Sequence, residues 1–285
     1  MSRIVYVNGA YVPEEQAKIS IFDRGFIFGD GVYEATSVID RTLIDVRAHL
    51  ARLERSCAEI SLSLPWSNAD LIEIHHELIR RNSLNEGSIY LQVTRGAADR
   101  EFPFPKHVKP TLVLFTQARS LLDSPAAKTG IKVVSAPDLR WARRDIKSVN
   151  LLASVLVKQF AAEKGAQEAW MLEDDVITEG GSSTAWIVKN RTLISRPLSE
   201  KVLPGITRAS VLAFIAESGF AFDQRTFTLT EALAADEAFI TSATNLVMPV
   251  VSIDGQMIGK GVPGTTALRL RELYLGFARK GGALG

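Results

Sequence analysis

The sequence predicts an α+β fold in two domains. Short runs rich in β-formers, punctuated by turn residues, alternate irregularly with stretches of helical periodicity and do not repeat a strict strand–helix unit. A break over residues 119–130 carries Ser120, Asp123, Ser124, Pro125 and Gly130, and a fresh strand pattern begins at Ile131. With 285 residues, 46% hydrophobic and 23% charged, the chain can fill two domains of ordinary size. The expected layout is a small α/β domain over residues 1–118, a linker over 119–130 and a larger domain over 131–285.

Each element has a local reason. Residues 4–7 and Tyr11-Val12 read as a hairpin joined through Asn8-Gly9, a pair that tolerates positive φ. Ser67 is a fitting N-cap for a helix running to about Asn82, with Leu71, Ile74, Leu78 and Ile79 on its apolar face. His75 and His76 are adjacent on that helix and point in different directions; they read as solvated side chains, without the i, i+4 pairing of a helical zinc site. Residues 89–94 and 111–115 are strand-like, as are 131–135. A helix follows over about 149–164, with Leu152, Leu156 and Phe160 on one face. Glu173-Asp174-Asp175 and Lys189-Asn190-Arg191 mark hairpins, and a helix over about 207–218 is closed by Gly219.

Composition narrows the function classes. A net charge of +1 without a basic block or acidic tail gives no strong pull toward nucleic acid or an anionic membrane. The single cysteine, Cys57, cannot form an intrachain disulfide and reads as a small buried thiol in a helical stretch. The first residues alternate as a strand and do not form a secretory leader, and no apolar run reaches the roughly 18 residues of a spanning helix. A cytoplasmic protein is expected.

Several segments carry chemistry-bearing residues. Arg24-Gly25-Phe26-Ile27-Phe28-Gly29-Asp30-Gly31-Val32-Tyr33-Glu34 packs three glycines among aromatics, in neither the Rossmann nor the P-loop spacing, and by itself is consistent with a tight turn. Pro204-Gly205-Ile206-Thr207 opens a helix, where free amides and a hydroxyl can hold a phosphate or simply cap the helix. Thr241-Ser242-Ala243-Thr244-Asn245 is a second hydroxyl-rich run, either further donors or a turn. Thr178-Glu179-Gly180 sets an acid before small residues. Lys147 follows Arg140, Arg143 and Arg144, whose charge would favour a neutral, nucleophilic amine. The residues alone do not distinguish this from a solvated basic loop.

Taken in order, these segments resemble the fold-type IV, or class IV, enzymes that depend on pyridoxal 5'-phosphate. That family includes D-amino-acid and branched-chain aminotransferases, (R)-selective amine transaminases and 4-amino-4-deoxychorismate lyases. The matching pieces are Asp23-Arg24-Gly25-Phe26 through Glu34, His49-Leu50-Ala51-Arg52-Leu53, Asp145-Ile146-Lys147-Ser148-Val149-Asn150, Thr178-Glu179-Gly180, Pro204-Gly205-Ile206-Thr207-Arg208 and Thr241-Ser242-Ala243-Thr244-Asn245. They span nearly the whole chain. The resemblance implies a two-domain α+β fold with a small N-terminal α/β domain and a larger C-terminal pseudo-barrel domain. It implies that Lys147 bonds covalently to the cofactor and shuttles a proton, and that Glu179 pairs with the pyridine nitrogen. Arg52, the backbone amides of Ile206 and Thr207, and the Ser242–Ala243–Thr244 turn would hold the phosphate. Ala243 stands where the family often has a hydroxyl. Tyr33 would line the substrate pocket.

The branch resembled most is that of the D-amino-acid aminotransferases, where an arginine and a histidine two residues later hold the substrate carboxylate. Arg100 matches the arginine, and Phe102 occupies the histidine's place. The expected activity is amino transfer between a D-amino acid of the D-alanine or D-glutamate type and a 2-oxoacid, by a homodimer. An (R)-amine transaminase would not need Arg100 for a carboxylate, nor would a branched-chain enzyme need it in this loop; a lyase would eliminate pyruvate. A non-catalytic cofactor-binding protein would need no Glu179.

Overall fold

The computed structural model describes residues 2–282, and the chain divides into two compact units. The first unit takes the chain up to Ser120, returns for Ile146–Asn150 and holds the described end beyond Gly281; the second takes Leu121–Asp145 and Leu151–Lys280. The expected linker stretch carries a short helix.

The first unit is built on a six-stranded antiparallel sheet in the order β2-β1-β6-β5-β3-β4. Its strands are β1 (Ile4–Val7), β2 (Ala10–Pro13), β3 (Gly31–Ile39), β4 (Thr42–Leu43), β5 (Gly87–Thr94) and β6 (Thr111–Ala118). β1 and β2 form the expected hairpin, with Asn8 at φ 49° and Gly9 at φ 100°. The Gly-rich segment is more than a turn: it holds helix α1 (Arg24–Phe28), capped by Asp23 and ended by Gly29 in the left-handed region at φ 66°.

Helices α2 (Val46–Glu59) and α3 (Asn68–Arg81) bury Leu50, Leu53, Leu71 and Leu78 with Ile89, Leu91 and Leu112 of the sheet. Truncating one of these leucines to alanine would cost about 2–5 kcal/mol. Ser67 and Asp70 close a capping box at the start of α3. His75 corrects the solvated expectation: it is 1% exposed, with Nδ1 2.6 Å from the Leu71 carbonyl oxygen, while His76 is exposed. Burial pushes the His75 imidazole down to about 4. Cys57 is the buried thiol expected, and burial raises it to about 12.

The second unit holds a nine-stranded mixed sheet in the order β12-β11-β10-β13-β14-β7-β8-β9, with β15 paired to β14. The strands are β7 (Ile131–Pro137), β8 (Glu168–Glu173), β9 (Val176–Gly180), β10 (Thr184–Lys189), β11 (Thr192–Ser195), β12 (Ala221–Gln224), β13 (Glu237–Ser242), β14 (Leu246–Ile253) and β15 (Gln256–Met257). Asp174-Asp175 and Asn190-Arg191 turn the β8–β9 and β10–β11 hairpins with positive φ at all four residues.

Five helices complete this unit: α4 (Pro125–Thr129), α5 (Leu152–Glu163), α6 (Ile206–Ser218), α7 (Leu229–Leu233) and α8 (Thr265–Arg279). α5 starts three residues later than its periodicity suggests. Its first turn is preceded by Ile146–Asn150, which lie along β3 of the first unit's sheet. Val157 and Ala161 face inward, whereas Leu152, Val155, Leu156 and Phe160 are exposed. Among the described residues no helix is long and apolar enough to cross a membrane.

Candidate active site

Lys147 is held by its backbone as an added strand on β3. The Tyr33 amide donates to the Lys147 carbonyl at 3.0 Å, the Val149 amide donates to Gly31 O at 3.0 Å, and Val32 bridges Ser148. Ile146 is anchored in the hydrophobic core, and the Lys147 amide donates to Ser56 Oγ of α2 at 3.3 Å. The side chain is therefore presented from a rigid support, and its Nζ lies 4.3 Å from the centroid of the Tyr33 ring. Tyr33 stacks on Tyr90 at 5.4 Å, and Tyr90 on Phe115 at 4.9 Å. Sequence reasoning placed Lys147 and Tyr33 among the site residues, and the fold brings them together.

Arg52, on α2, makes a two-pronged contact with Glu34 of β3: Nε to Oε1 and Nη2 to Oε2, each 2.7 Å. His49 Nδ1 lies 2.7 Å from the same Oε2. All three are buried. Burial pushes the Glu34 carboxyl upward, but the Arg52 guanidinium and the His49 contact outweigh it and hold the group far below the usual carboxylate range. The guanidinium is thus fixed in orientation by a carboxylate that the sequence reading gave no role.

Arg100 and Phe102 are both exposed. Phe102 packs its ring against Phe28 of α1 at 5.4 Å, and the Arg100 Cζ lies 5.5 Å from each of those two rings. The loop is pinned from beneath by Arg24, whose Nη1 and Nη2 donate to the Glu101 and Phe102 carbonyl oxygens at 2.5 and 3.2 Å. Arg24 is itself held by Asp30, which also takes a fork from Arg95 at 2.8 and 3.1 Å. The Gly-rich segment therefore serves as the foundation of the Arg100–Phe102 loop.

In the second unit, Glu179 sits at the end of β9, 5% exposed. Arg140 Nη1 donates to its Oε1 at 2.5 Å, and the Leu203 amide donates to Oε2 at 3.2 Å. Burial pushes the Glu179 carboxyl up against the opposing pull of Arg140. Arg140, Arg143 and Arg144 each have carboxylate partners: Arg140 pairs with Asp138 and Glu179, Arg143 with Asp145, and Arg144 with Glu173 and Asp138.

Helix α6 begins at Ile206 with Gly205 as its N-cap, so no side chain caps its first amides. Thr207 is buried there. A Cβ on Gly205 would stand 2.8 Å from Thr184 Oγ1 of β10, so that hydroxyl would have to shift. Thr184 lies opposite Thr241 in the β10–β13 register, and Thr241 leads into the Ser242–Asn245 turn, where the Asn245 amide donates to Ser242 Oγ at 3.1 Å. Gly205, just before Ile206 and Thr207, thus packs on β10 opposite Thr241, the residue that precedes Ser242, Ala243 and Thr244. Helix amides and a turn so arranged suit an anion. A half-buried amine, a buried carboxylate and an uncapped helix start are also the groups that an aldehyde, a pyridine nitrogen and a phosphate each call for, so the residues fit pyridoxal 5'-phosphate.

These features define a fold-type IV enzyme, and comparisons with known proteins agree. Residues 31–253 match the family model described as amino-transferase class IV. A D-alanine aminotransferase of Bacillus licheniformis is 40% identical over 260 residues, covering 91% of this chain and 92% of that one. A D-alanine aminotransferase of Staphylococcus epidermidis is 38% identical over 278 residues, 96% of each chain. A T.th. branched-chain amino acid aminotransferase, solved with N-(5'-phosphopyridoxyl)-L-glutamate, superposes with a TM-score of 0.89 at 26% identity, covering 99% of this chain and 96% of that one. The chain belongs to the class IV aminotransferase family; it is an aminotransferase, and its cofactor is pyridoxal 5'-phosphate.

Proposed function

We propose that the enzyme transfers the amino group of a D-amino acid, of the D-alanine or D-glutamate type, to a 2-oxoacid. The observation that carries the reading is near-full-length likeness to D-alanine aminotransferases, joined to an exposed guanidinium, Arg100, lying over the Phe28 and Phe102 rings. Branched-chain aminotransferases share the fold at lower identity.

When bound, the cofactor supplies an electron sink for the pair released at the substrate Cα. Lys147 would hold the cofactor covalently in the absence of substrate, and its Nζ, once displaced by the substrate amine, would take a proton from the substrate Cα and return it further along. The Tyr33 ring face steadies that amine. Glu179 would keep a proton on the ring nitrogen, and its ion pair with Arg140 favours the charged carboxylate that this contact needs. Arg52, Ile206, Thr207, Ser242, Ala243 and Thr244 would hold the phosphate, Ala243 through its backbone amide alone. Arg100 pairs with the substrate carboxylate, and Phe102 offers an apolar wall where the family has a histidine donor.

The same reading makes the enzyme a cytoplasmic homodimer. A lone cysteine leaves no intrachain disulfide for an oxidising compartment to form. The exposed Leu152, Val155, Leu156 and Phe160 of α5 supply an apolar face for a second copy, and light scattering should give twice the chain mass.

The test is a donor panel. Holoenzyme is mixed with D-alanine, L-leucine or (R)-1-phenylethylamine in the absence of acceptor, and the cofactor spectrum is followed; 2-oxoglutarate is then added. D-alanine should convert the spectrum fastest, and 2-oxoglutarate should restore it. Faster conversion by L-leucine or by the simple amine would overturn the D-amino-acid reading, and no conversion by any donor would overturn catalysis itself.

A further inference from the structure

Arg208 is an anomaly of the second unit. It is the third residue of α6 and only 4% exposed, yet among the described residues no carboxylate pairs with it. Its Nε has no hydrogen-bond partner, and Nη2 makes one long contact, 3.4 Å to the Arg196 carbonyl oxygen. A cation here is doubly unfavourable. Burial strips its water, and the first turn of a helix already carries the positive end of the macrodipole. Burial accordingly depresses its proton affinity. An anion nearby would make such a charge favourable.

The guanidinium is connected to the neighbouring turn. Its Cζ lies 5.8 Å from the ring centroid of Trp186, which is fully buried and stacked on Phe239 at 5.4 Å and 11°. Trp186 Nε1 donates to Thr241 Oγ1 at 3.0 Å. Thr241 directly precedes Ser242, Ala243 and Thr244. One indole therefore touches the cation of the α6 start with its ring and fixes a hydroxyl of the β13 end with its N–H.

We propose that Arg208 and Trp186 are positioning residues for the cofactor phosphate: Arg208 adds a buried positive charge to the α6 amides, and Trp186 ties that charge to the Ser242–Thr244 turn. The proposal rests on the reading that these two segments hold the phosphate. It makes Arg208 a liability of the empty protein and an asset of the loaded one.

The experiment compares pyridoxal 5'-phosphate with pyridoxal, which lacks the phosphate, as ligands of apoenzyme prepared from holoenzyme, alongside the melting temperature of the apoenzyme. Arg208→Met should weaken the phosphorylated ligand about tenfold or more, the scale of losing one charge-assisted contact, and change pyridoxal by less than about twofold. The apoenzyme should melt at the same temperature or higher, and Arg208→Lys should recover part of the affinity. Trp186→Phe, which keeps the ring stack and removes the N–H, should weaken the phosphorylated ligand selectively, about threefold. Equal weakening of both ligands, or an Arg208→Met apoenzyme that melts lower or does not fold, would overturn the proposal and leave Arg208 a residue of the scaffold. If the unaltered protein itself binds pyridoxal as tightly as its phosphate ester, the underlying phosphate site is wrong, an outcome distinct from failure of Arg208 alone.

Discussion

Arg140 Nη1 stands 2.5 Å from Glu179 Oε1, and the same guanidinium holds Asp138 by two further contacts of 2.9 and 2.6 Å. One cation thus serves two buried carboxylates, and Thr178 Oγ1 adds a donor to Asp138 at 2.7 Å. Removing it would leave Glu179 buried without its counter-charge and Asp138 with only Arg144, 3.4 Å away. Arg140→Met should cost about 3–5 kcal/mol of unfolding free energy in urea. It should also lower kcat, because Glu179 would then hold a proton of its own more readily and pair less well with a protonated ring nitrogen. A loss under about 1 kcal/mol, the range of a surface pair, would show that Arg140 does not serve this purpose.

The Arg100 loop predicts a split between substrates. Arg100→Ala should raise KM for D-alanine by roughly tenfold to a hundredfold, as expected for a lost charge-assisted contact, and leave (R)-1-phenylethylamine nearly unchanged. Equal effects on both donors would remove Arg100 from carboxylate binding.

Phe102→His should lower KM for D-alanine about threefold to tenfold by adding a donor, less whatever is lost from packing on Phe28. Steady-state kinetics with D-alanine would show it; an unchanged KM means the carboxylate is already satisfied by other groups.

His75 gives a pH dependence. Its folded value of about 4 lies below the ordinary 6.5, so the native state keeps the ring neutral while the unfolded chain takes up a proton. Its contribution is therefore complete above pH 6.5 and is lost as pH falls from there to about 4. At about 1.4 kcal/mol per unit, the loss is about 3 kcal/mol. Urea unfolding across that window should show the decline, and His75→Asn should flatten it whatever its effect at neutral pH. A parallel decline in both proteins would assign the acid sensitivity elsewhere.

Much of the fold is written locally. The Asn8-Gly9 turn, the Ser67 cap and the Gly219 stop depend on backbone preferences of a few adjacent residues, so they were legible. The fate of His75 was not, because whether a helix face is covered depends on what packs over it. The α5 face shows the converse: Leu152, Leu156 and Phe160 have helical spacing but are exposed in the single chain, since periodicity reports an apolar stripe and not what covers it. At the site, Lys147, Glu179 and Arg52 could be picked out through ordered motifs. Their supports could not: Glu34, Arg140 and Trp186 act through contacts between residues 18, 39 and 55 positions apart, a separation no local pattern encodes.

The central claim is that Lys147 is the amine that bears the cofactor. Reducing holoenzyme with borohydride fixes pyridoxal 5'-phosphate to its lysine, and peptide mapping by mass then locates the adduct. The peptide containing Lys147 should carry it, and Lys147→Ala should abolish both the adduct and turnover. An adduct on any other lysine, or full turnover in Lys147→Ala, would contradict the assignment.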